Sequence, residues 1–465
     1  MSDSSPINES GLHHQLTAGQ MTMVAVGGSI GTGLLLGTAS AISLAGPAVI
    51  LSFVLAAFIS WTVALALGEL ASTHPAAGSF GVYADLYLNH WAGFISRAGY
   101  WLAIAVSIGA EMVASATYMQ LWFPKVPPIA WVGVFSAFLL STNLLSVHGY
   151  ARFEFWFAMI KVAVIAAFIA LGAALLLTGR TPPQYTAHGG FFPLGTAAPL
   201  LAITFAIYTF GGVEFVAVAS GESSSAKEIA RATRMTFLTL TILYLGAIAV
   251  LVGIMPWNRA GVAESPFVTV FRSVSLPGAA HFMNFVVLTA ALSGANAALY
   301  ISSRMLFSLA RTGWAPRRLG HLSRNGTPTY ALITSSYGII VALVLERWAP
   351  ARAFEYILRG AFFGMMLSWI VSLAAHIQFR RSLQSRRSVS LSVIATQGVT
   401  TDQAHAIPAR SPLGKWGSII GLIVVLASIG KTWFDSRVNL IAGVTLLLGL
   451  TVAYAAIKPS RPRSS

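Results

Sequence analysis

The sequence predicts an all-α membrane protein. Twelve transmembrane helices are expected: ten in a five-plus-five inverted repeat with helices 1 and 6 broken, then two C-terminal helices. Three observations predict it. Charged residues are 9% of the 465 and hydrophobic residues 56%, whereas soluble domains carry roughly 25% charge, so a water-facing surface cannot be assembled from this inventory. Apolar stretches of bilayer-spanning length, about 20 residues, recur along the whole chain. Two of them are interrupted near the middle by glycine, at matching places in two halves.

The expected spans are 18–45, 48–73, 93–123, 127–147, 154–178, 197–221, 234–255, 279–311, 328–347, 352–376, 415–433 and 438–457. They divide the chain into a leader (1–17), a first five-helix repeat (18–178) and a second, inverted repeat (197–376). A loop (377–414), two further helices (415–457) and a tail (458–465) follow. The first apolar stretch lacks a small-residue cleavage pattern and reads as a retained span. Basic residues stay on the cytoplasmic side during insertion. With the N-terminus inside, nineteen of the 29 Lys and Arg fall in inside segments and eight outside, while Lys161 and Arg359 lie within spans. Both termini, the leader, the 380–412 loop and the tail are therefore expected in the cytoplasm. The net charge of +15 is then assigned to topology and anionic lipid headgroups rather than to nucleic acid. With no cysteine there is no thiolate metal site or Cys nucleophile. The histidines show no ligand-spaced pair, so neither metal nor cofactor is expected.

Within the first span lies Gly27-Gly28-Ser29-Ile30-Gly31-Thr32-Gly33. Each interior glycine costs a helix about 1 kcal/mol relative to alanine. The sixth span carries Phe210-Gly211-Gly212-Val213-Glu214. Non-helical backbone at membrane depth is tolerated only where it is buried in protein or lines a wet cavity, so a cavity is expected between the two breaks. Span one opens the first five and span six the next five, and an odd number of spans per half inverts the second half. Matched, glycine-interrupted segments of this kind point to a transporter site at the midplane. Free N–H groups at Gly31, Thr32 and Gly33 can hold a carboxylate, and free carbonyls near Ser29 and Gly211 can accept an ammonium. A zwitterionic amino acid offers both charges. Glycine at helical spacing also serves close helix packing, but two dense clusters in matched positions favour broken helices. Gly28-x-x-Gly31-x-Gly33 is no dinucleotide loop, because the strand and βαβ unit which that fingerprint needs are missing from the pattern.

In this order the chain also carries Gly27–Gly37 (GGSIGTGLLLG), Ala45-Gly46-Pro47, Gly68-Glu69-Leu70 and Pro75-Ala76-Ala77-Gly78-Ser79-Phe80. Glu154-Phe155-Trp156-Phe157-Ala158-Met159-Ile160-Lys161, the Phe210–Glu214 segment and Ser302-Ser303-Arg304-Met305-Leu306 follow. As a set over about residues 12–385 they resemble the amino acid permeases of the amino acid–polyamine–organocation superfamily. Bacterial proton-coupled lysine, aromatic and proline/histidine-type permeases are the most similar in pattern. The resemblance implies alternating access and a substrate held by both unwound segments. It places the carboxylate on backbone at Thr32 and Gly33, with Ile30 and Gly31 in the same segment. It places the amino group on carbonyls near Ser29, Tyr208 and Gly211, and a gating aromatic at Phe210.

Ionisable groups inside a span mark a pathway by default. Lys161 lies several residues inside span five. An ammonium there can stand where a coupling sodium ion would and contact the first break, and the resemblance implies that it makes protons the driving ion. Glu214 either takes a proton or anchors the unwound backbone. Glu111 lies mid-span three; a carboxylate there that faces the pocket favours a cationic side chain, yet in the family resembled, permeases for neutral substrates also carry Glu at the matching position. Arg359 departs from the family pattern. It is four residues after Glu355, and the two either pair in a vestibule or set specificity.

The expected function is import of an L-amino acid by proton symport across the bacterial cytoplasmic (inner) membrane. The alternative is an amino acid exchanger of the same fold, in one version selective for cationic substrates. Expected partners are the amino acid, protons and membrane lipids, with no nucleic acid and no obligate protein partner. The scattered intramembrane acids and bases supply no nucleophile–base pair, so an enzyme is not expected.

Overall fold

The computed structural model describes residues 16–76, 78–145, 147–261, 264–273, 278–323, 326–349, 352–384, 410–435 and 437–457. The expected leader through residue 15, most of the 377–414 loop and the tail lie outside them. The described residues are helical almost throughout, with one isolated β-bridge between Leu16 and Ser223. Among them seven helical segments are long and apolar enough to cross a membrane, one of which, Ala18–Thr73, holds the first two expected spans. Four shorter apolar helices accompany them.

The helices are α1 (Ala18–Ser29), α2 (Thr38–Ala45), α3 (Val49–Thr73), α4 (Ser79–Tyr87), α5 (His90–Met119), α6 (Pro128–Leu145) and α7 (Val147–Leu177). Then come α8 (Ala198–Thr209), α9 (Phe215–Ala219), α10 (Ala226–Ile254), α11 (Pro266–Ser273) and α12 (Ala279–Arg311). The last are α13 (Thr329–Ser335), α14 (Tyr337–Trp348), α15 (Ala353–Gln384), α16 (Gly414–Asp435) and α17 (Arg437–Ala456). Two short helices, α4 and α11, lie between expected spans. The ninth expected span is divided at Ser336 into α13 and α14, an interruption that no glycine cluster announces.

Polarity runs opposite to that of a soluble protein. Large apolar side chains face outward, among them Trp156, Leu177, Ile242, Ile340 and Val452. Lys161, Glu69, Glu111, Glu214 and Arg97 are buried. An apolar outer face of this extent needs lipid to cover it, as expected of a multi-pass membrane protein.

The most buried of the apolar spans is α5, and its small residues let other helices approach closely. A Cβ added at Gly109 would lie 2.5 Å from the Gly338 carbonyl oxygen of α14, and one at Gly338 would run into the Ala105 carbonyl of α5. A Cβ at Gly364 of α15 would meet the Gly99 carbonyl of α5. Lipid tails are as apolar as leucine, so contact of this kind, rather than hydrophobic burial, holds membrane helices together. Backbone cannot yield as a flexible side chain can. Gly338→Ala is therefore expected to destabilise the protein by about 1–3 kcal/mol, the usual effect of overpacking. Gly360→Ala, where a Cβ would meet nothing within 4 Å, should be neutral or up to about 1 kcal/mol stabilising. Thermal unfolding of the two variants in detergent checks the contrast.

At the start of α1, Thr17 and Gln20 form a capping box, which satisfies two of the otherwise unpaired N–H groups of the first turn. The Ala18 N–H donates to Glu228 Oε2 of α10 at 2.5 Å, and the Ser224 N–H donates to the Leu16 carbonyl at 3.1 Å. Elsewhere Glu69, near the end of α3, receives four donors on one oxygen. His376 Nε2 lies at 2.9 Å, Arg380 Nη2 at 2.6 Å and Nε at 3.1 Å, and the Ser411 N–H at 3.0 Å. The other ring nitrogen of His376 lies 2.7 Å from Ser418 Oγ on α16. This cluster joins α3, α15 and the approach to α16. A second buried ion pair, Arg97 with Asp85, ties α5 to α4.

Candidate functional site

Both glycine clusters interrupt their helices. The α1 helix ends at Ser29, residues Ile30 and Gly31 leave helical geometry, and from Thr32 the chain returns to helix through a π-helical turn over Gly33–Gly37 that leads into α2. In the sixth span α8 ends at Thr209, and turns through Phe210–Glu214 precede α9. The two breaks touch. Thr209 Oγ1 donates to the Gly33 carbonyl at 3.2 Å. Gly212 has φ +105° and is packed so closely on Ser29 that a Cβ would collide with its hydroxyl. Only glycine meets both requirements there.

A cavity of about 50 Å³ lies at this crossing, several times the roughly 10–15 Å³ that admits one water. Its walls include Gly28, Ser29, Gly31 and Gly33 from the first break and Tyr208, Gly211 and Gly212 from the second. Opposite them stand Ile104, Ser107 and Glu111 of α5, Gly294 and Ala298 of α12, Met365 of α15 and Phe215 of α9.

Several peptide groups of the breaks have partners within the protein. The Lys161 ammonium donates to the Gly27 carbonyl at 2.6 Å, near the C-terminal, negative end of the α1 dipole. Tyr244 OH donates to the Ser29 carbonyl at 2.8 Å. The Thr32 N–H, expected to meet a substrate carboxylate, points at the Glu111 carboxylate, 3.2 and 3.3 Å from its two oxygens. At the second break the Gly212 N–H donates to Glu214 Oε2 at 3.1 Å, and Tyr100 OH donates to Glu214 Oε1 at 2.6 Å. The Tyr208 carbonyl accepts from the Gly211 N–H at 2.9 Å. The physical reason is general: buried polar groups find partners, and an orphaned one costs about 1–3 kcal/mol.

Of the residues singled out from the sequence, Ser29, Gly31, Gly33, Tyr208, Gly211 and Glu111 line the cavity. Thr32 reaches it through its bond to Glu111. Ile30 is buried, with its N–H on the Val26 carbonyl at 2.9 Å. Glu214 accepts from the Gly212 N–H and from Tyr100 OH. Phe210, expected as a gating aromatic, is fully buried between Phe53 and Tyr244, with ring centroids 6.5 and 5.0 Å away. The aromatic side chains on the cavity are Tyr208 and Phe215. The side chains of Arg359 and Glu355 lie outside the described residues. Tyr100, Tyr244, Ile104, Ser107 and Gly294 were not singled out. They belong to unbroken helices, whose sequence carries no mark of which face meets the breaks.

Comparison with known proteins agrees with this architecture. Residues 20–443 match the family described as Amino acid permease. The gamma-aminobutyric acid permease of Bacillus subtilis is 34% identical over 90% of this chain and 93% of its own. The aromatic amino acid transport protein AroP of Escherichia coli is 35% identical, with 87% of each chain aligned. A crystal structure of a mutant manganese transporter from Eremococcus coleocola superposes with a TM-score of 0.58 at 14% identity, covering 98% of this chain and 95% of the other. That likeness concerns the fold alone. A family match over nearly the whole length, together with relatives about 35% identical, places this multi-pass membrane protein in the amino acid permease family.

Proposed function

We propose that the chain imports an L-amino acid together with a proton across the bacterial inner membrane, by alternating access about the two helix breaks. The proposal includes the twelve-helix frame with five-plus-five inverted repeats at 18–178 and 197–376, two added helices, and both termini in the cytoplasm. Lys161 couples the proton and Glu214 holds the second break. The observation that carries the coupling is the Lys161 ammonium seated on the Gly27 carbonyl in the protein interior. A cation at the end of a half-helix does there what a bound sodium ion would do, and loss of its proton weakens its hold on the break.

The substrate class is supported by what the named relatives share. Gamma-aminobutyric acid and the aromatic amino acids differ in backbone length and side chain, but each carries one ammonium and one carboxylate. Two broken helices with their peptide ends around a single cavity suit those two charges. The rest of the wall, with Ile104, Ala298 and Met365, meets the side chain.

The test is uptake by the purified protein in proteoliposomes, after thermal-shift screening against the twenty amino acids has named a ligand. An inside-alkaline pH gradient should drive accumulation without sodium, and a protonophore should abolish it. Strict sodium dependence would refute proton coupling. Counter-flow exchange indifferent to the pH gradient would make the protein an exchanger.

A further inference from the structure

We propose that Glu111 is a built-in occupant of the carboxylate subsite, so that substrate binding exchanges one carboxylate for another at the Thr32 N–H. The inference rests on the amino acid reading above and adds to it what the substrate must displace.

Four observations carry it. Both Glu111 oxygens face the Thr32 N–H, at 3.2 and 3.3 Å, the backbone group best placed to receive an anion at the start of the chain's return to helix. The carboxyl sits in a notch made by two glycines, one in the first break and one on α12: a Cβ at Gly31 would run into it, and one at Gly294 would lie 3.0 Å from its carbon. Glu111 also forms part of the cavity wall, within reach of anything that enters. Finally, the Lys161 ammonium holds the Gly27 carbonyl on the other side of the same break, at 2.6 Å. The protein thus supplies, from α7 and α5 respectively, the ammonium and the carboxylate that an amino acid would bring on one molecule.

The exchange conserves charge. An incoming carboxylate takes the Thr32 N–H, and the displaced Glu111 carboxylate becomes the partner of the incoming ammonium. No buried charge is stranded, which matters because an uncompensated one is strongly destabilising. A ligand with a carboxylate but no ammonium cannot complete the exchange, since it would leave Glu111 unpaired beside it. Glu111 therefore selects zwitterions over simple carboxylates.

Sodium acetate, with sodium chloride as control, is the probe, and thermal unfolding of the purified protein is the readout. The wild type should respond to its amino acid ligand and ignore acetate. Glu111→Ala frees the Thr32 N–H and the notch, so its melting temperature should climb with the logarithm of acetate concentration above the chloride control, as a ligand bound only by the folded state requires. Glu111→Gln keeps the shape. Its neutral carbonyl holds the N–H about half as strongly, so acetate should protect it too, at higher concentration, and this variant serves if the alanine protein does not fold. Acetate protecting neither variant, or protecting the wild type equally, overturns the proposal. A wild type that answers to an amino acid while both variants ignore acetate would sink the exchange and leave the transport reading standing. Acetate rescue in a protein that answers to no amino acid would do the reverse.

Discussion

In proteoliposomes the Lys161→Ala protein should fail to accumulate amino acid above background under an imposed pH gradient, while still exchanging external for internal substrate in counter-flow. The substitution removes one ammonium and leaves the Gly27 carbonyl without its 2.6 Å donor. An unpaired buried carbonyl costs about 1–3 kcal/mol, against a folding stability of about 5–15 kcal/mol, so the variant should fold and bind. What it loses is the charge that, under the proposed coupling, connects proton state to the first break. The split between driven uptake and exchange separates coupling from folding. Normal accumulation by Lys161→Ala would refute the coupling role.

Glu69→Ala should have the largest effect on stability, about 3–5 kcal/mol, the usual result of removing one member of a buried charge pair. One oxygen of Glu69 receives Arg380 through two nitrogens, His376 and the Ser411 N–H. Removing the carboxylate leaves a buried guanidinium and imidazole together with a peptide N–H. Glu69→Gln keeps the volume and one acceptor and should fall between, because a bond to a charged group is worth about 1.5–3 kcal/mol and a neutral one about 1. Folded yield and melting temperature in detergent measure both. A melting temperature unchanged in Glu69→Ala would mean that the cluster does not hold α3 to α15.

The sequence revealed the breaks because glycine density is a local property. Gly27–Gly33 and Gly211–Gly212 name their own positions, and Lys161 stood out against its apolar neighbours. What stayed hidden depends on contacts between distant parts of the chain. Glu111 finds Thr32 from 79 positions away, and Tyr244 finds Ser29 from 215. The Glu69 partners come from more than 300 positions downstream, where Glu69 by itself reads only as a carboxylate near a helix end. The positive φ at Gly212 turns the chain between Phe210 and Phe215, so that Phe215 lines the cavity while Phe210 packs between Phe53 and Tyr244. Several peptide groups of the first break meet side chains of the protein itself, Glu111 at the Thr32 N–H, Lys161 at the Gly27 carbonyl and Tyr244 at the Ser29 carbonyl, and no local pattern in the sequence marks those partners.

The stitching at the front of α1 bears on how the molecule can rock. Ala18 is fastened to Glu228, and Leu16 to Ser224, so the first half-rod and the foot of α10 are riveted together at one end. Any swing of that half-rod must drag its neighbour along or tear both rivets at once. A tilt of α1 would thereby be tied to the segment that follows the second break.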